Sequence, residues 1–179
     1  NQSDVEDQLM LVLSADHDIK NTNNFIEAIN KGINHALNGR IVVFGVSPTS
    51  AETGYGYIES LDAMLKDISS SKVKKFIEKP NKEDAEKYIK DKHFSWNSGI
   101  FMFKASTILT EVQKYNKKVL DICKKAISNG TRDFDFQRIN KEIFEDCPNC
   151  SIDVSVMEKT NLASVIKLDC GWNDLGSWK

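Results

Sequence analysis

Solid apolar runs alternate with amphipathic stretches along this chain, and the two patterns predict different elements. "LMLVLSAD" at 9–16 is apolar until its polar tip, the pattern of a strand buried on both faces. In "NTNNFIEAINKGINHALNG" the spacing changes. Phe25, Ile29, Ile33, Ala36 and Leu37 share one helical face, Asn and Thr supply an N-cap, and Gly39 supplies a stop. "IVVFGV" at 41–46 reads as a second buried strand, closed by Pro48. Strand, helix and strand of this kind form a βαβ unit, which predicts a largely parallel sheet covered on both sides. Ligands of such sheets gather at the carboxyl ends of the strands. Asp16 stands at the end of the first.

Further along, "GYGYIES" and "KVKKFIEKP" predict two more strands, and "NKEDAEKYIKDK" a short helix capped by Asn81. "FSWNSGIFMF" is another strand with Gly99 inside it, a place where something can approach the backbone. The stretch "ASTILTEVQKYNKKVLDICKKAISNG" is helical, with Ile108, Leu109, Val112 and Tyr115 facing inward and a break near Asn116. Short helical segments follow at "NKEIFED" and around "SIDVSVMEK". "LASVIKLD" is the last strand, and it delivers "GWNDLGSW" at 171–178. No repeat, low-complexity tract or linker interrupts the pattern. One α/β domain over 1–179 is the expectation.

Composition narrows the classes. Apolar residues make up 40% and charged residues 28%, an ordinary globular balance, and the net charge of -2 gives no basic field for nucleic acid. No apolar run approaches the ~20 residues of a membrane-spanning helix. The polar, acidic start "NQSDVEDQ" does not resemble a signal peptide. These features predict a cytoplasmic protein with neither a membrane nor a nucleic-acid partner, and a homo-oligomer is compatible with them. The chain lacks an initiating Met and reaches an apolar strand at Leu9, which predicts a piece of a longer protein. Cys123, Cys147, Cys150 and Cys170 are irregularly placed and fit reduced thiols. "CPNC" at 147–150 has the spacing of zinc and redox sites. It lacks the second ligand pair of the former and the helix-opening position of the latter, so a structural loop is expected.

Four polar clusters end or interrupt strands and would converge on one rim: Asp16, Glu78 with Lys79, Asn97, and Asp174. Mg²⁺ takes hard oxygen ligands, one or two carboxylates among them, and leaves its other positions to water and substrate phosphates. Asp16 and Asp174 suit that role as a pair, although alone Asp16 reads more simply as a helix cap and Asp174 as a turn residue. His17 reads as a structural hydrogen-bond donor. Lys79 can act as a point charge on a phosphate and Glu78 can accept from sugar hydroxyls, against the plainer reading of an exposed ion pair. In "ETGYGYI", Gly54 and Gly56 let backbone N–H groups approach a ligand and Tyr55 can stack on a sugar, or the segment is a plain turn. Asn97 is a bifunctional amide suited to sugar hydroxyls, or a turn former. Neither GxGxxG nor GxxxxGK[ST] occurs, and no Ser-His-Asp or Cys-His arrangement emerges. Chemistry with a nucleophile or base from the protein is therefore disfavoured.

"SADHDI", "FGVSPTSAETGYGYIE", "VKKFIEKP", "WNSGIFMFKAS", "SIDVSVMEKT" and "LDCGWNDLGSW" together resemble, in order and spacing, the mannose-1-phosphate guanylyltransferases among the sugar nucleotidylyltransferases. The likeness runs along nearly the whole chain. It implies a Rossmann-like α/β fold with a mixed, mostly parallel sheet, and transfer of GMP from GTP to mannose 1-phosphate with Mg²⁺ as cofactor. It implies catalytic roles for Asp16, Lys79 and Asp174, with Asp16 and Asp174 on the metal. Gly54, Tyr55, Gly56, Glu78 and Asn97 would hold the sugar, with Glu158 and Lys159 of "MEKT" as further candidates. Gly171 and Gly176 would shape the loop presenting Asp174, and Trp172 and Trp178 would pack it. The chain departs from the family pattern in lacking the glycine-rich, Arg-containing loop that holds the triphosphate, and in carrying Ser14 where Pro is usual. A fragment inactive by itself is the implication. Another sugar-1-phosphate nucleotidylyltransferase and a non-catalytic regulatory paralogue share much of this pattern; retention of both aspartates argues against the paralogue.

Overall fold

Period-two alternation splits the strand residues between two cores. Val42, Phe44, Ile100, Met102 and Ile166 lie in one, and Ile41, Val43, Phe101, Phe103 and Val165 in the other. The computed structural model describes residues 7–65 and 67–175. Its first half comprises β1 (Leu9–Val12), β2 (Asp18–Ile19), α1 (Thr22–Leu37), β3 (Ile41–Val46), β4 (Tyr57–Ser60), β5 (Ser70–Ile77) and α2 (Lys82–Tyr88). Then come β6 (Phe94–Lys104), α3 (Ala105–Tyr115), α4 (Lys117–Ser128), β7 (Thr131–Asp133), β8 (Phe136–Arg138) and α5 (Lys141–Glu145). A π-helical turn (Asp153–Met157), β9 (Ala163–Lys167) and β10 (Trp172–Asn173) complete the described chain. Helix α1 covers one face of the sheet; α3 and the π turn cover the other.

The main sheet has the order β1-β6-β3-β9-β5-β4, and β4 also returns to pair with the start of β6. It is mixed, as expected, but its ladders are not mostly parallel: β3 with β9 is parallel, and the other described pairs in this sheet are antiparallel. The pairings still give β1, β3, β4 and β9 a common direction. Two reversed strands, β5 and β6, stand among them, so the β1-α1-β3 crossover skips over β6 instead of joining neighbours. Strand β1 is also not buried on both faces. It sits at the sheet edge, with Met10, Leu11 and Val12 exposed.

Asparagine caps mark three helix starts. Asn21 accepts from the Asn24 N–H at 3.0 Å, Asn81 from Asp84 at 2.9 Å and Asn140 from Ile143 at 3.0 Å. The long helical stretch breaks at Asn116, whose ψ of 58° leaves the helical region. Helix α3 lacks a cap of its own; Asp7 supplies one from far away in sequence, accepting the Ser106 N–H at 2.9 Å. The predicted inner faces are right for Phe25, Ile29, Ile33, Ile108, Val112 and Tyr115 and wrong for Leu37 and Leu109, which are exposed at the margins of their stripes. The four cysteines are free, with Cys170 buried. Among the described residues no helix is long and apolar enough to cross a membrane.

Candidate active site

Strand β6 positions the site. Phe101 and Met102 pair with β3 on one edge and with β1 on the other, while Trp96 pairs with β3 and with β4. Strands β1 and β4 therefore share one edge of β6, end to end, and leave a gap between them at Ser98–Ile100. Gly99 lies in that gap with φ +71°, a conformation open to glycine, and the β3–β6 register shifts across it between Val43 and Gly45. The bulge turns Asn97 toward the gap, where its Oδ1 accepts the Gly99 N–H at 3.2 Å.

A cavity of about 180 Å³ opens there, with Gly54, Tyr55, Gly56, Glu78, Asn97, Asp153 and Asp174 in its wall, beside Ser14, His17, Ser98, Gly99 and Trp172. Gly56 lies close against Glu78: a Cβ at that position would sit 3.0 Å from Glu78 Oε2 and press on that side chain. Tyr55 is held between two indoles, with ring centroids 5.2 Å from Trp96 and 5.6 Å from Trp172. Its hydroxyl donates to Asp174 Oδ1 at 2.8 Å. Burial and the adjacent carboxylate push the Tyr55 pKa up to about 12, so the hydroxyl keeps its proton. The Trp172 Nε1–H donates to His17 Nδ1 at 3.1 Å, which makes His17 an acceptor at that atom and leaves the proton of the neutral ring on Nε2.

Around Glu78 the wall carboxylate of Asp153 is joined by Glu158 and Lys79, which lie outside the lining. Asn97 Nδ2 donates to Asp153 Oδ1 at 3.4 Å, and the Glu78 N–H donates to Glu158 Oε1 at 3.2 Å. Lys79 Nζ lies 3.5 Å from Glu78 Oε1. Burial raises the carboxyl pKa of Glu78, and the charge of Asp153 adds to the rise. Burial likewise raises that of Asp153. Lys79 has φ +46°, a left-handed conformation costing a side-chain-bearing residue roughly 1–2 kcal/mol. Strain of this order collects where a side chain must be aimed.

The candidate metal ligands come from adjoining strand ends. Strands β10 and β2 pair with Trp172 opposite Ile19 and Asn173 opposite Asp18. The ladder ends there, with His17 and Asp174 each one residue beyond it in sequence. Gly171, at φ +67°, makes the turn into this ladder. Two hard carboxylates suit Mg²⁺, which leaves most of its positions to water and phosphate. Among the described residues no three His, Cys, Asp or Glu side chains form a metal-holding group.

Of the residues singled out from sequence, Gly54, Tyr55, Gly56, Glu78, Asn97 and Asp174 share the cavity wall. Lys79 adjoins it through Glu78, and Glu158 through the Glu78 backbone. Asp16 is exposed beside the wall residue His17. Lys159 is exposed and outside the wall. Gly176 and Trp178 lie outside the described residues. Asp153 was missed: the motif "SIDVSVMEK" contains it, but ordinary helical spacing gives no sign of the π turn that aims it inward.

The same architecture recurs in known proteins. The family model for nucleotidyl transferases matches residues 1–179. Mannose-1-phosphate guanylyltransferase 2 of Escherichia coli O157:H7 is 47% identical, over 97% of this chain and 37% of its own. Xanthan biosynthesis protein XanB of Xanthomonas campestris pv. campestris (strain B100) is 43% identical over 96% of this chain and 36% of its own. A crystal structure described as mannose-6-phosphate isomerase from Helicobacter pylori superimposes with a TM-score of 0.84 at 32% identity, covering 93% of this chain and 64% of that one. The chain thus spans little more than a third of the length of these curated relatives. Its match to the family model runs from the first residue to the last, through every strand that builds the cavity: the chain belongs to the nucleotidyl transferase family.

Proposed function

We propose that this chain is the sugar-phosphate-binding part of a mannose-1-phosphate guanylyltransferase, which joins GMP from GTP to mannose 1-phosphate and releases pyrophosphate. One observation carries the reading: Glu78, Asn97, Asp153 and the Gly54–Gly56 turn face Asp174 across a single cavity, with Lys79 at its margin. Carboxylates accept hydrogen bonds from sugar hydroxyls, and the Asn97 amide both donates and accepts. A phosphate monoester has its second pKa near ~6, so its oxygen is already a nucleophile at neutral pH.

The difficulty lies in bringing two polyanions together. At 4 Å, each pair of unit charges repels by ~1 kcal/mol in water and ~4 kcal/mol at an effective dielectric of ~20. Lys79 offsets part of that repulsion at the sugar phosphate. Asp16 and Asp174 would hold Mg²⁺, which when bound neutralises phosphate charge and aligns the groups. A phosphate oxygen of the sugar phosphate attacks the α-phosphorus, the α–β bridging bond breaks, and pyrophosphate takes the electron pair.

Turnover by the protein that carries this chain, with GTP and mannose 1-phosphate, tests the assignment. GDP-mannose should form, and Lys79→Ala should raise KM for mannose 1-phosphate about 10-fold or more, the worth of a charge-assisted hydrogen bond, while that for GTP stays near its wild-type value. Preference for another nucleotide or hexose, or equal losses for both substrates, would overturn it.

A further inference from the structure

Tyr55 and Asp174 lie 119 positions apart in sequence and share a 2.8 Å hydrogen bond. The tyrosine ring is fixed edge-on by Trp96 and Trp172, so its hydroxyl has little freedom to seek another partner. Trp172 in turn holds His17, ring against ring at 5.3 Å and through its Nε1–H. An unbroken series of contacts therefore runs from Asp174 to the residue beside Asp16. The same Tyr55 lies in the cavity wall between Gly54 and Gly56.

We propose that Tyr55 is a positioning residue for Asp174: its hydroxyl aims the carboxylate at the divalent cation and couples cation binding to occupation of the cavity. The proposal rests on the reading of Asp174 as a metal ligand. A carboxylate has lone pairs for a hydroxyl and a cation together, so the two contacts do not compete. Partners that orient a ligating carboxylate are worth ~10–100-fold in metal affinity. A ligand that touches the Tyr55 ring meets the side chain that aims Asp174, and coupling between two binding events is reciprocal.

The test uses Mn²⁺ in place of Mg²⁺, read by electron paramagnetic resonance on the full chain with and without mannose 1-phosphate. Tyr55→Phe keeps the ring and its indole contacts and removes the hydroxyl alone. It should weaken Mn²⁺ binding about 10-fold or more. It should also reduce the change in Mn²⁺ affinity that mannose 1-phosphate produces in the wild type. Because Tyr55 acts through Asp174, Y55F/D174N should bind Mn²⁺ no more weakly than D174N. A merely structural Tyr55 would instead lower the metal-free melting temperature and leave the Mn²⁺ isotherm unchanged, which overturns the proposal. Additive losses in the double variant also overturn it. If D174N binds Mn²⁺ as tightly as the wild type, Asp174 is not a ligand and the underlying reading falls as well.

Discussion

Burial raises the carboxyl pKa of both Glu78 and Asp153. The sign of the consequence follows from linkage. A group whose folded pKa exceeds its unfolded value supports the fold below that unfolded value, and the support is withdrawn as pH rises through the folded pKa. The reference values are 4.5 for Glu78 and 3.8 for Asp153, so the loss begins as pH rises past those values. Urea denaturation across a pH series should show E78Q/D153N gaining on the wild type as pH rises from ~4 toward neutrality. A difference independent of pH would contradict this. Asp7 works in the opposite sense: hydrogen bonds from Ser106 lower it to about 2, and its support is present above 3.8 and lost as pH falls through about 2. The wall carboxylates are thus kept at a cost to the fold, which accords with a role in binding. Glu78 and Lys79 could be read from sequence because they follow a strand stopped by Pro80, and Asn97 because it stands near Gly99 inside an apolar one. Asp153 could not, since an acid within a short helical segment looks like surface.

At the scale of elements, local chemistry was legible and irregularity was not. The caps Asn21 and Asn81 announced their helices, and Asn116 the break between α3 and α4. Strands β2 and β10, two residues each, and the β7–β8 hairpin are too short to leave a period. The bulge in β6 was legible only as Gly99. A Cβ there would meet nothing closer than 3.7 Å, so Gly99→Ala has room, and its penalty is backbone strain at φ +71°. That strain predicts a loss of ~1–2 kcal/mol in equilibrium denaturation, with weaker sugar-phosphate binding because Asn97 is aimed by the same bulge. An unchanged denaturation midpoint would show that the bulge can relax.

For the whole molecule, apolar runs revealed the number of the main strands but not their neighbours. Strand order depends on contacts between distant segments. Thus the insertion of β6 between β1 and β3, which makes most ladders antiparallel, has no local sign. The run 9–13 looked doubly buried for the same reason: composition reports what a strand can be packed against, not what covers it. Within the described residues β1 pairs on one side, with β6. Hydrogen exchange should therefore protect β3, flanked by β6 and β9, well beyond β1, whose outward amides should exchange early. Equal protection in both strands would show that the outer side of β1 is covered.

The open side of β1 also sets a direction of growth. Its backbone amides and carbonyls on that side can accept another strand, and the apolar residues Met10, Leu11 and Val12 would gain cover from it. A strand laid there would run past the carboxyl end of β1, alongside Ser14 and Asp16. Among the described residues the unpaired edge of β1 is thus the one that leads toward Asp16, the candidate metal acid that lies outside the cavity wall.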